Sequence, residues 1–181
     1  MNEFVLDMAA IQKRARENYQ QGPITESYGA DRERVIEVLN DALATELVCV
    51  LRYKAHYYRA SGLAASSIAD EFLEHANEEL GHADRIAERI TQLQGNPNLN
   101  PSELSSRAHS TYDDAAAVKD MLLEDLVAER IAIETYTEIA RWLGDTDSTT
   151  RIMIEEILAV EEEHADDLLS LLVSHQGTVA Q

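Results

Sequence analysis

The stretch Glu79-Leu80-Gly81-His82-Ala83-Asp84 returns in outline later in the chain as Glu161-Glu162-Glu163-His164-Ala165-Asp166. Residues three apart share one face of an α-helix, so each Glu-x-x-His brings a carboxylate and an imidazole to a common side. Both pairs lie midway along runs whose apolar residues recur with a 3.6-residue period. Each run follows another that carries a glutamate on an otherwise apolar face, Glu46 before the first and Glu129 before the second. Glu46 to Glu79 is 33 positions and Glu129 to Glu161 is 32, and Tyr53 follows Glu46 by seven as Tyr136 follows Glu129. The chain therefore reads as two similar halves that jointly build one internal site.

Working outward, seven glycines and three prolines mark the ends of these runs. The spacing predicts four long helices, Asp31 to Arg59, Ala65 to Leu93, Asp114 to Trp142 and Ser148 to Ser174, with Gly62, Gly95, Gly144 and Gly177 beyond their ends. At 1.5 Å per residue each spans roughly 40 Å, the proportions of a long four-helix bundle. Loops of about five residues make helices one and two, and three and four, antiparallel neighbours. The Asn-, Pro- and Ser-rich segment from Gly95 to Asp113 is long enough to cross the whole bundle, giving an all-α, up-down-down-up order. Residues 1–26, with an amphipathic piece from Phe4 to Tyr19, form an N-terminal extension docked on the bundle or on a partner subunit. Residues 27–177 are the bundle and 178–181 a C-terminal tail.

Acidity is the strongest mark of composition. The 181 residues carry 34 acidic against 15 basic side chains, a net charge of -19, yet remain 45% hydrophobic. A folded core is expected, and a surface of that charge disfavours direct DNA binding, which needs cations to displace counterions from phosphate. No apolar stretch approaches the length that spans a bilayer, and Cys49 alone makes no intrachain disulfide. A cytoplasmic setting is expected.

Either Glu-x-x-His pair alone is weak evidence, whereas two on two helices, with a glutamate from each of two more, is the ligand set of di-iron and di-manganese carboxylate bundles. Four carboxylates neutralise and bridge two divalent ions, and one histidine per ion suits iron. Glu46, Glu79 and His82 are assigned to one ion, and Glu129, Glu161 and His164 to the other, with Glu79 and Glu161 bridging. Manganese or zinc are possible substitutes for the two irons.

The stretches Glu78 to Arg85, Gly95-Asn96-Pro97-Asn98-Leu99 and Met121 to Glu129 resemble bacterioferritin and its relatives, including the Dps-like ferritins, over about residues 31 to 175. The resemblance implies a ferritin-like bundle and a ferroxidase that oxidises Fe(II) with O2 or H2O2 and stores the mineral in a hollow homo-oligomer. It implies Tyr53 as a tyrosine beside the metals and Asp125 as a carboxylate behind the ligands. Leu80 stands where bacterioferritin carries its haem-ligating methionine, so haem is not supported. Only 17 residues follow His164, too few for a fifth helix, which favours a 12-subunit shell over 24. The rival readings are a non-storing rubrerythrin-like peroxidase, weakened by the lack of Cys-x-x-Cys pairs, and a DNA-protecting protein of the Dps type.

Further residues carry weaker expectations. Tyr136 is read as core or as a second tyrosine at the metals, and Asp125 as a partner of His82. Cys49 is read as a small buried hydrophobe. Glu74, His75 and Glu78 are read as an inner-surface iron site or a solvated stripe, with His56 and Glu138 as long shots. Lys13, Arg14 and Arg16 make a small basic patch interrupted by Glu17.

Overall fold

Three aspartates start helices in the same way. Asp7 accepts a hydrogen bond from the Ala10 amide at 3.0 Å, Asp31 from Arg34 at 3.2 Å and Asp147 from Thr150 at 2.9 Å, each satisfying an amide that the first turn leaves free. In the computed structural model, which describes residues 4–62 and 65–179, the helices are α1 (Met8–Glu17), α2 (Arg32–Gly62), α3 (Ser66–Gln92), α4 (Leu104–Arg107), α5 (Val118–Leu143) and α6 (Ser148–Val179). A 3-10 turn covers Tyr19–Gln21, and every regular element among the described residues is helical. Among the described residues no helix is long and apolar enough to cross a membrane.

The four expected helices are α2, α3, α5 and α6, with ends that differ for local reasons. Gly62 is the last residue of α2, three beyond the expected end at Arg59, and α6 continues past Gly177 to Val179. α5 starts at Val118 instead of Asp114. The Asp113 side chain accepts from the Ala115 amide at 2.8 Å and Asp114 is held by Arg59 at 2.7 Å, local bonds that compete with a helical turn. α4 was not expected; its Leu104 packs on Ala44 and Val48 of α2, and Arg107 donates to the Asn40 and Asn98 carbonyls. These contacts pin the crossover along α2. At the end of α3, Gly95 approaches α2 so closely that a Cβ there would lie 2.8 Å from Ile36.

The order of apolar groups along each helix gives the topology. One cluster holds Val35, Leu39 and Leu43 of α2, Ala83, Ile86 and Ile90 of α3, Ala132, Tyr136 and Leu143 of α5, and Ile154 and Ile157 of α6. The other holds Tyr53 and Ala60 of α2, Ala69, Phe72 and Ala76 of α3, Met121 and Leu122 of α5, and Leu168 and Leu172 of α6. α2 and α6 pass from the first cluster to the second, α3 and α5 the opposite way, so the bundle runs up-down-down-up. Glu46, Glu79, Glu129 and Glu161 each fall between the two clusters, placing a polar layer at mid-bundle between dry ones.

The N-terminal segment docks only in part. Ile24, Tyr28 and Ala30 pack on the first cluster, whereas α1 buries no residue, and Phe4 and Val5 before it and Met8 within it are exposed.

Candidate metal centre

Each helix supplies its part through a side chain it cannot turn outward. Glu46, Glu79, Glu129 and Glu161 are each about 1% exposed, and His82 and His164 are 5% or less. His82 Nδ1 lies 3.3 Å from Glu46, 3.4 Å from Glu79 and 3.0 Å from Glu161. His164 Nδ1 lies 3.6 Å from Glu79, 3.9 Å from Glu129 and 3.5 Å from Glu161. Glu79 and Glu161 thus face both imidazoles, Glu46 only the first and Glu129 only the second. Two atoms that each ligate one ion at 2.0–2.2 Å stand roughly 3.0–3.4 Å apart at ordinary coordination angles. The His82 group already has that spacing, and the His164 group is a few tenths of an ångström wider.

The structure also supplies a test of whether these residues fit a cation. Glu46 Oε2, Glu79 Oε1, His82 Nδ1, both carboxylate oxygens of Glu161 and His164 Nδ1 are buried without a hydrogen bond. Buried polar atoms are nearly always paired, so six converging orphans ask for an ion. The donor set of carboxylate oxygen and imidazole nitrogen suits divalent iron, manganese or zinc.

Crowding without metal shifts the proton affinity of most of these groups. Burial pushes the Glu46 and Glu129 carboxyls well up, and the neighbouring charges of Glu79 and Glu161 push them further. Burial would lower both imidazoles, but Glu161 and Glu79 beside them carry His82 up to about 9 and His164 to about 11. Glu79 moves down despite its burial, because the two imidazoles hold its charged form.

The ligands are held from behind, across the two halves. Tyr53 donates to Glu129 and Tyr136 donates to Glu46, so each half's tyrosine fixes the other half's glutamate. The repeat in the sequence had pointed to the site but not to this crossing. Glu78 lies 2.8 Å from His164 Nε2, which leaves Nδ1 to face the carboxylates. His75 is buried, stacked 4.0 Å from His164, and 3.3 Å from the Tyr53 hydroxyl through Nδ1. Burial, reinforced by His164, lowers its imidazole to about 3. Glu74 is exposed and does not join them.

Asp125 is not the partner of His82. It lies 2.8 Å from Arg52 Nε and 2.8 Å from His56 Nδ1, all three at 1% exposure or less. Sequence reasoning missed Arg52; the available signal was a charged residue beside Tyr53 on a face otherwise destined for the core. Asp125→Ala leaves the guanidinium and imidazole buried without their anion. Urea unfolding of the apo-protein is expected to show a loss of about 3–5 kcal/mol, and a loss under 1 kcal/mol would remove the pair from the account of stability. Cys49 is buried beside Arg52 at 3.5 Å and Ser110 at 3.8 Å, and burial pushes its thiol up. Glu138 is exposed and paired with Arg141, and Lys13, Arg14 and Arg16 lie exposed on α1.

Comparison with known proteins gives the family. Residues 36–176 match the ferritin-like domain family. A bacterioferritin from Brucella melitensis biotype 1 is 36% identical over 138 residues, covering 75% of this chain and 80% of the relative. A bacterioferritin from Rhodobacter capsulatus is 30% identical over 139 residues, with the same coverage. Among solved structures, a dodecameric thioferritin, the bacterioferritin-related protein from Bacteroides fragilis, superposes with a TM-score of 0.79 at 34% identity, covering 84% of this chain and 92% of that one.

Proposed function

The chain belongs to the ferritin-like family, among the bacterioferritins and their relatives, and from that premise we propose that it is an iron-storing ferroxidase. The observation that carries this reading is the set of six buried, unbonded ligand atoms converging from α2, α3 and α6, with Glu129 of α5 beside them. Fe(II) is the substrate, taken up as a pair by Glu46, Glu79 and His82 and by Glu129, Glu161 and His164. Each iron gives one electron; O2 takes two with two protons to become H2O2, and H2O2 takes two more of each to become water.

The protein's own part is placement. Glu79 and Glu161 serve both ions, so the pair fills as a unit. Tyr136 and Tyr53 restrain Glu46 and Glu129, while Glu78 fixes the tautomer of His164. Tyr53 passes a hydrogen atom or an electron to the centre in this reading, which its burial and its bond to Glu129 support. Apolar layers above and below exclude bulk water. Leu80, with no thioether, offers no ligand to haem iron. A reducing cytoplasm would supply Fe(II) and keep Cys49 a thiol.

Storage requires a shell. Exposed Leu80, Val127, Trp142 and Leu169 offer apolar surface for neighbouring copies, and the likeness to a dodecameric relative supports 12 subunits. Fe(II) added in air to purified apo-protein, followed by sedimentation, tests the reading. Hundreds of irons per large assembly are expected. Oxidation that stops at about two irons per chain on a small oligomer would make the protein a non-storing oxidase or peroxidase. DNA retarded in a gel at moderate salt would support the DNA-protecting reading, which the acidic surface opposes.

A further inference from the structure

We propose that Glu71, His75 and Asp167 form a third site for a divalent transition-metal ion, set against the outer side of His164 and separate from the inner pair. One ligand atom from each lies within 4.8 Å of the other two, and His75 Nε2 is 3.5 Å from Glu71 Oε1.

The hydrogen bonding around His75 says which way its lone pair points. Tyr53 gives its only hydroxyl proton to Glu129, so its oxygen is an acceptor toward His75. His75 Nδ1 must then carry the proton and donate it, which leaves Nε2 as a bare lone pair. That lone pair faces the Glu71 carboxylate at 3.5 Å, with an Asp167 carboxylate oxygen in the same cluster, an arrangement that repels unless a cation stands between them. The ring cannot turn away. It is 1% exposed, stacked on His164 at a 20° interplanar angle and set edge-on to Tyr53 at 90°. The two carboxylates oppose each other as well: burial, and then the charge of Asp167, push the Glu71 carboxyl up.

Two carboxylates and one imidazole are a donor set for Fe(II), Mn(II), Co(II) or Zn(II). Asp167 is accessible to solvent, Glu71 is half-buried and His75 is buried, so the ligands step inward from the surface toward His164. The proposal goes beyond the two-ion centre and does not depend on it.

Co(II), which is stable in air, tests both sites without turnover. The full-length apo-protein is loaded with a tenfold excess of Co(II) and its ions are located by anomalous diffraction. Three ions per chain are expected, one of them between Glu71, His75 and Asp167. The double variant Glu71→Gln, Asp167→Asn is expected to lose that ion and keep the inner two. Absence of the outer ion where the inner pair is filled overturns the proposal, as does its persistence in the double variant. An outer ion with an empty inner pair would instead overturn the two-ion reading and leave this one standing.

Discussion

Replacing Glu79 and Glu161 together by alanine is expected to reduce rapid Fe(II) oxidation by about a thousandfold or more, to the rate of iron in buffer. These two carboxylates approach both imidazoles, at 3.4 and 3.6 Å for Glu79 and at 3.0 and 3.5 Å for Glu161. Neither ion keeps its full ligand set without them. An effect of several kcal/mol on a metal-assisted barrier corresponds to roughly three powers of ten. Glu46→Ala or Glu129→Ala strips one ion only, and a smaller loss of roughly ten- to a hundredfold is expected. Loss of folding would give the same kinetic result for a trivial reason, and the shape of the melt separates the two. The metal-free double variant loses the anions beside its buried imidazoles and should melt below the parent, but in a single cooperative transition that lies above the temperature of the oxidation assay. Stopped-flow absorbance and thermal melts are the measurements, and oxidation at the parental rate would dismiss the site.

The helices and the convergence of the six candidate side chains were legible because periodicity and motif spacing are local. Apolar residues every three or four positions predict α2, α3, α5 and α6, and Glu-x-x-His fixes two ligands on one face whatever lies opposite. Helix ends were less legible: Gly62 and Gly177 read as residues beyond the helices, but glycine only weakens a helix, and α2 takes in Gly62 as its last residue while α6 carries past Gly177. What sequence spacing could not give was contact across helices. Asp125 lies four before Glu129, which suggests the same target, yet its carboxylate is turned to Arg52 and His56 on α2. Tyr53 and Glu46 share a helix, but the hydroxyl of Tyr53 reaches Glu129 on α5. The partner of His164 Nε2 is Glu78, a half-exposed residue whose class is normally solvated. Such pairings depend on the rotation of each helix in the assembled bundle, which no single helix encodes.

Metal and protons must compete for the same atoms, and the competition should be visible as a steep pH dependence. In the metal-free centre His82, raised to about 9, and His164, raised to about 11, hold protons near pH 7, and the carboxyls of Glu46 and Glu129 are raised well above their ordinary range. Two divalent ions entering that space displace the imidazole protons. Titration with Zn(II), which does not oxidise, is expected to release at least two protons per pair at pH 7. Lowering the pH from 7 to 6 should then weaken each ion's binding about tenfold or more, because at least one proton is exchanged per ion. Stability without metal must move the other way. All four groups have folded values raised above their ordinary ones, so their stabilisation is complete at low pH and is lost as pH rises. For Glu46 and Glu129 the loss begins above about 4.5, and for the imidazoles it begins above about 6.5 and runs through their folded values. The metal-free protein should therefore melt lower at pH 8.5 than at pH 6. The metal-loaded protein should melt higher, gaining about 4 kcal/mol per ion where free metal exceeds the dissociation constant a thousandfold. Release of fewer than one proton per pair, or melting curves of the two forms that keep a constant gap across this range, would mean that these carboxylates and imidazoles are not where the ions bind.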